Sequence, residues 1–560
     1  MLRNRSAAGI IALILGLFWS LFIFLDYLVH HPDLSRAIAQ PPYLGLLIFI
    51  GLAAGGSIWY TAGKLKKSKS SSWTIGFRGL SFYGLLTLFS VIFLSAFVLK
   101  TGMDEPGLAV RVPYFTILST VFALGLVIVL ALAYVYGNLW LEPLKERYST
   151  TDYSLIAIAL GFGILGFLLT IFGLMGTGQL TYIAWFLALA LLGWQWKASL
   201  AFIKNLVWTR LELTIKKAWT PAVIILLLSV LAVNWLGAFK LFPIGYDGGS
   251  LYVNLAEITA NRGELPAGGQ AFAWSVVMSL GETLFFSRAA VILLANGMGF
   301  LLLFALYRLG RHFLSPAYAR LAVLLTASLP YFGFQALVEE KVDFALSYIL
   351  LCLLLLAMPK VISTDDKQEP IQLFRRFPVS ELTYLFIMAG WLVGFAFSIK
   401  YTSILFVLSV ACWSLYKAGG RFAFFGGCAL ALALVFGGGI YQFGYLQFDS
   451  ASQPILLGAV GLIAGISLLW FAFRDERRLV PLYFRRSVAL LAAAAVAFLP
   501  WSVKHLSENG SFSLSHLIEG RSAQPEINQS APWSSLLEDG LEYNQGLGRL
   551  LGEGSSNKRS

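Results

Sequence analysis

Tyr153-Ser-Leu-Ile-Ala-Ile-Ala-Leu-Gly-Phe-Gly-Ile-Leu-Gly-Phe-Leu-Leu-Thr-Ile-Phe-Gly-Leu-Met175 contains no charged side chain. As a helix this stretch extends about 34 Å, more than the roughly 30 Å of a bilayer's hydrocarbon core. Its apolar residues are continuous rather than alternating, so it reads as a spanning helix and not as a strand of a closed barrel. Working outward, comparable runs lie near 8–29, 43–62, 79–99, 112–136, 180–203, 219–239, 286–307, 315–334, 342–358, 380–398, 402–416, 422–441, 453–473 and 487–502. The expectation is an all-α polytopic membrane protein with about fifteen crossings.

Composition agrees. The 560 residues are 58% hydrophobic and 12% charged, against about one quarter charged in soluble domains. The net charge of +12 is distributed by topology and does not point to nucleic acid. Lys64, Lys66, Lys67, Lys69 and Arg78 form one cluster; Lys204, Arg210, Lys216 and Lys217 form another. Arg375 with Arg376, and Arg474, Arg477, Arg478, Arg485 and Arg486, follow. With the N-terminus in the cytoplasm all of them fall on the inner side, as the positive-inside rule expects. Residues 240–285, the 335–342 and 399–401 junctions, 442–452 and the tail then face outward. Cys352, Cys412 and Cys428 lie in apolar runs and indicate neither a disulfide framework nor a metal site. The segment from Ala7 to Val29 is long, aromatic-rich and without a clear small-residue cleavage site, so it reads as an uncleaved first helix.

Three regions follow. Residues 1–217 form seven spans almost free of polar groups, residues 218–510 carry ionisable groups at the outer junctions, and 511–560 form a polar outer tail. Ionisable residues beside a membrane are costly and therefore functional candidates. Phe242-Pro-Ile-Gly-Tyr-Asp-Gly-Gly-Ser-Leu-Tyr252 sets Asp247 shortly after a span, beside glycines that let backbone come close to a ligand. Leu251, Leu255 and Ile258 recur at helical spacing after it and predict a short interfacial helix, for which Asp247 could equally serve as a cap. Glu339, Glu340 and Asp343 are spaced to share a helix face, with Lys341 among them to neutralise the group. Carboxylates in a first helical turn are also favoured by the macrodipole alone. Lys400 and Lys504 are cations at two further outer junctions, where snorkelling is the plain alternative.

In this order the motifs resemble the GT-C superfamily of membrane glycosyltransferases, especially bacterial relatives of protein O-mannosyltransferases and aminoarabinose transferases. The resemblance rests on Tyr246-Asp247 through Tyr252, Asn261-Arg-Gly-Glu-Leu-Pro266, Met278-Ser-Leu-Gly-Glu282, Tyr307-Arg-Leu-Gly-Arg311, Ser328-Leu-Pro330, Lys341-Val-Asp343, Lys400-Tyr-Thr402 and Pro500-Trp501. It covers roughly residues 219–510. Lys504-His505 stands where the family has Arg-Asn, Asn509-Gly-Ser where it has Gly-Asn-Pro, and the first loop has one Asp instead of an acidic pair.

The resemblance implies a GT-C-like bundle that moves a sugar from a polyprenyl-phosphate donor to an acceptor on the outer face of the cytoplasmic membrane. It implies Asp247 as base, Lys400 and then Lys504 as phosphate partners, and Tyr246, Tyr252, Glu282, Glu339, Glu340, Asp343 and Tyr401 as substrate contacts. The apolar helix surfaces would hold the prenyl chain. No pattern marks a cofactor or metal; a divalent cation stays open. Two other functions compete: a transporter or flippase, which more naturally carries ionisable groups near the midplane within broken helices, and a noncatalytic subunit that keeps the fold.

Overall fold

The computed structural model describes residues 18, 41–67, 73–100, 105–176, 180–208, 210–215, 217–237, 245, 247–266, 271–358, 371–373, 377–437, 452–474 and 480–509. Apart from Phe18, the first expected span lies outside the described residues, as do the 511–560 tail and Tyr246.

Each apolar run within the described residues is helical. The helices are α1 (Pro41–Lys67), α2 (Gly79–Lys100), α3 (Glu105–Leu141), α4 (Thr150–Leu174), α5 (Leu180–Trp194), α6 (Trp196–Trp208) and α7 (Thr220–Leu236). They continue as α8 (Val253–Arg262), α9 (Ala273–Phe285), α10 (Arg288–Phe313), α11 (Pro316–Ala327), α12 (Pro330–Leu337) and α13 (Asp343–Ala357). The last are α14 (Glu381–Ile399), α15 (Ser403–Gly437), α16 (Ser452–Ala472) and α17 (Val480–Asn509). In α15 the backbone leaves helical geometry at Gly419 and at Gly420, whose φ is +70°, so it comprises two segments, as the separate runs at 402–416 and 422–441 predict.

The chain is a multi-pass, almost wholly helical membrane protein. Among the described residues eight helices are long and apolar enough to cross a bilayer, or ten if two bent pairs each count as one crossing. Several expected spans are too short: α7 and α13 have 17 and 15 residues, against the roughly 20 a crossing needs. The expected span at 180–203 is bent by 88° between α5 and α6, and that at 315–334 by 62° between α11 and α12. Pro330 explains the second break, since it disfavours helical geometry in the residue before it. Two short antiparallel pairs were not anticipated. Strand β1 (Trp73–Arg78) pairs with β2 (Arg210–Ile215), and β3 (Ile371–Leu373) with β4 (Phe377–Val379).

Helix α4, the stretch quoted at the outset, is the centre. It touches α3, α9, α13, α14 and α17, and most of its residues are buried. Its glycines allow this: a Cβ at Gly161 would meet the Ala133 carbonyl of α3, and one at Gly166 the Phe395 ring of α14. Region 1–217 therefore does not stand apart from the rest; α3 and α4 share one continuous core with the helices after 218. By contrast α16 presents Ile455, Ile463, Trp470 and Phe471 outward, as suits lipid as the solvent.

Charged side chains collect at two ends of the bundle. At one end Asp152, in the first turn of α4, holds Arg308 of α10 at 2.8 and 3.0 Å. There too Arg147 meets Glu381 at 3.0 Å, and the Lys217 ammonium donates to the Tyr318 hydroxyl at 3.0 Å. Helices α14 and α17 run parallel, because Gly390 abuts Leu490 and Gly394 abuts Ala494. Their last residues therefore emerge together at the other end, where the candidate residues lie.

Candidate functional site at the Asp247 end

The loop after α7 docks on the connection between α12 and α13. The Gly245 N–H donates to the Val338 carbonyl at 2.8 Å, and the Gly248 N–H to Glu339 Oε2 at 2.8 Å. Contact is so close that a Cβ at Gly245 would run into the Glu339 carboxylate, and one at Gly248 would lie 2.6 Å from Glu340 Oε2. The glycines thus serve the approach of two carboxylates of this chain. Residues 339–341 are not helical; α13 begins only at Asp343. The expectation that Glu339, Glu340 and Asp343 share a helix face is corrected accordingly. Glu339 and Glu340 are instead buried beneath the loop.

Asp247 does not cap a helix through its side chain. Its Oδ2 meets the Lys341 ammonium at 2.6 Å, so the lysine expected to neutralise its neighbours partners the loop carboxylate. Residues 248–252 form one π-helical turn leading into α8, the short helix predicted there. Next to this pair Lys400 binds Asp343 Oδ1 at 2.8 Å, and Asp343 Oδ2 receives Tyr331 at 3.3 Å and Gln335 Nε2 at 3.4 Å. Both oxygens of Asp343 are thus engaged, and its side chain is 18% exposed against 42% for Asp247. The Tyr252 phenol lies within electrostatic reach of both aspartates. Burial first, then the charges of Asp343, Asp247 and Glu339 and the Tyr401 phenol, push its pKa well above the usual tyrosine range, so at neutral pH it is a hydrogen-bond donor and not a base.

Two predicted site residues have other surroundings. Glu282, near the end of α9, lies beside the ion pair of Glu257 and Arg288; burial first and then Glu257 raise its pKa, while Arg288 opposes this. Lys504 donates to Glu508 Oε1 at 2.8 Å and sits over the Phe272 ring, with its side chain only 4% exposed. Among the described residues no three His, Cys, Asp or Glu side chains converge as a metal site.

The cluster is also deeper than expected. Gly299 of α10 abuts Phe344, next to Asp343, and Phe332, which sets the start of α13 about 16 Å along α10 from Arg288 at 1.5 Å per residue. Helix α12 follows a 62° bend from α11, and its residues Phe332 to Leu337 are buried. Reading the sequence as one span at 315–334 hid both the depth and the contributions of Tyr331 and Gln335.

No family model, curated protein or solved structure matches the chain.

Proposed function

We propose that the protein transfers a sugar from a polyprenyl-phosphate donor to a hydroxyl acceptor at the Asp247 end, which we take as the outer face of the cytoplasmic membrane. The observation that supports this reading is that a 42%-exposed carboxylate, Asp247, and the carboxylate that holds Lys400, Asp343, both lie within electrostatic reach of the Tyr252 phenol. Acceptor O–H attack on the anomeric carbon needs a base, and departure of the prenyl phosphate needs a cation. Asp247 takes the acceptor proton as the new C–O bond forms. The bond from the anomeric carbon to the phosphate oxygen breaks, and Lys400 meets the charge on the leaving phosphate. Asp343 positions Lys400, while Lys341 orients the Asp247 carboxylate. Lys504 can serve as a second phosphate partner only if Glu508 releases it. The acceptor is a glycan, lipid or protein hydroxyl.

Purified Asp247→Asn protein tests this. Turnover is expected to fall by about 100-fold to 10,000-fold with donor binding retained; turnover at the wild-type rate with matched expression would remove Asp247 as base.

The recessed ion pairs beside a bent helix pair give support to a second reading, a lipid or solute transporter. Reconstituted protein distinguishes them: a transporter moves its lipid across the bilayer unchanged, whereas a transferase releases prenyl phosphate only when an acceptor is present.

A further inference from the structure

We propose that Cys412 and Cys428 are an oxidisable thiol pair that a lipid-soluble hydroperoxide converts to a disulfide, locking the two segments of α15 together; this is independent of the glycosyl-transfer reading. Both thiols are free. They lie on opposite sides of the break at Gly419 and Gly420, Cys412 in the first segment and Cys428 in the second. The chain reverses there. A Cβ on Gly419 would meet the Ala423 Cβ, Leu415 abuts Gly427, and the Tyr416 and Phe424 rings meet edge to face at 6.2 Å. In antiparallel helices, four residues back on one segment and four forward on the other keep the same level and face. From Tyr416 and Phe424 that step leads to Cys412 and Cys428. The contacts agree: a Cβ on Gly427 would lie 3.3 Å from the Cys412 Cα and 3.4 Å from its Sγ, and the two thiols are within hydrogen-bonding reach of each other. A disulfide needs such facing positions, with Cα atoms roughly 4.4–6.8 Å apart.

The surroundings decide the oxidant and the consequence. Cys412 stands seven residues before Gly419, about 10 Å along a helix, and the second segment is long and apolar enough to cross a bilayer. An oxidant that partitions into lipid reaches this depth. Cys428 is the more accessible thiol and reacts first. Its sulfur takes one oxygen of the hydroperoxide as the O–O bond breaks, giving a sulfenic acid and an alcohol. The Cys412 sulfur then displaces that oxygen, which leaves as water with the thiol's proton. Two thiols thus lose two hydrogens and two electrons to the hydroperoxide, and one S–S bond forms. The second segment packs on α16, Gly426 against Gly465 and Leu469, and Gly461 against Ala429 and Ala433. The first segment follows Lys400 directly, the Ser403 N–H donating to the Lys400 carbonyl at 3.1 Å. The bond therefore fixes the arm formed with α16 to the segment that leaves the Lys400 junction, across a break whose Gly420 has a φ of +70°. Cys352, fully buried in α13, donates instead to the Leu155 carbonyl at 3.6 Å.

Treating the protein in nanodiscs with cumene hydroperoxide tests the inference. Peptide mass spectrometry is expected to find Cys412 linked to Cys428 within one chain, reversibly by dithiothreitol, with Cys352 still a thiol. Amide exchange at Gly419 to Arg421 should slow by about threefold or more in the linked form and recover on reduction. Cys428→Ala should form no link and leave Cys412 a thiol, while Cys412→Ala should let Cys428 go on to the sulfinic acid. If either variant fails to fold, the wild-type measurements decide alone. Both cysteines still open to N-ethylmaleimide after treatment would overturn the inference. So would sulfinic acid without a link, or a link formed only between two chains. A link that left exchange at the break unchanged would overturn the lock.

Discussion

Asp247 and Asp343 show how two aspartates in one cluster are given different tasks by what touches them. Asp343 has both oxygens engaged by Lys400, Tyr331 and Gln335, so it orients a cation; Asp247 keeps the more exposed carboxylate. If Lys400 acts through its charge, Lys400→Met should abolish most donor binding while Lys400→Arg retains part of it, because both cations meet a phosphate with different geometry. A binding titration with the prenyl-phosphate donor checks this, and equal affinities for wild type and Lys400→Met would take Lys400 out of the site. Gly248 offers a separate test. A methyl there meets both the carboxylate and the backbone nitrogen of Glu340, so Gly248→Ala should destabilise the docked loop by about 1–3 kcal/mol. Thermal unfolding together with limited proteolysis near residues 245–266 reads this out; an unchanged profile would mean that the loop docks less tightly than described. The sequence made Asp247, Lys400 and the glycines legible as a polar group beside a membrane. It could not supply the pairing of Asp247 with Lys341, because those residues are 94 positions apart and only the fold sets their register.

The elements holding this site are fixed from the opposite end of the bundle. Ser149 caps α4 and bonds both Asp152 and Arg308, while Asp152 receives Arg308 through two nitrogens. Tyr348 and Tyr148 donate to backbone carbonyls of Leu155 and Leu356 at 2.8 and 2.7 Å, tying α13 to α4 and its approach. Asp152→Asn leaves Arg308 without its charged partner, so a loss of about 1.5–3 kcal/mol is expected, measured as a lower unfolding temperature in detergent. No loss would mean that α4 and α10 are held by apolar packing alone. Helix positions were legible because a bilayer demands long apolar runs. Breaks and pairings were less so. Pro330 signals the bend before α12, but the hydropathy of 315–334 carries straight through it. Strands β1 and β2 pair segments more than a hundred residues apart, Trp73 opposite Ile215, which no local pattern announces.

For the molecule as a whole, alternation of helix directions sorts its ionisable groups to two ends. On the glycosyl-transfer reading proposed above, the chain of a lipid-linked substrate would stay in the apolar phase while its phosphate meets Lys400. Helix α4 comes from the region that shows no polar chemistry in sequence, yet it is the post around which the site-bearing helices stand. Its role was hidden because a buried apolar helix and a lipid-facing one have the same composition. The central claim, that this bundle consumes a polyprenyl-phosphate sugar through Asp247, is tested most directly by extracting lipids from cells that lack the gene and from cells that carry it. The account expects one polyprenyl-phosphate sugar to accumulate in the deletion strain, to return to its original level with the wild-type gene, and to remain high with Asp247→Asn expressed at matched levels. No such accumulation, or full restoration by Asp247→Asn, would contradict it.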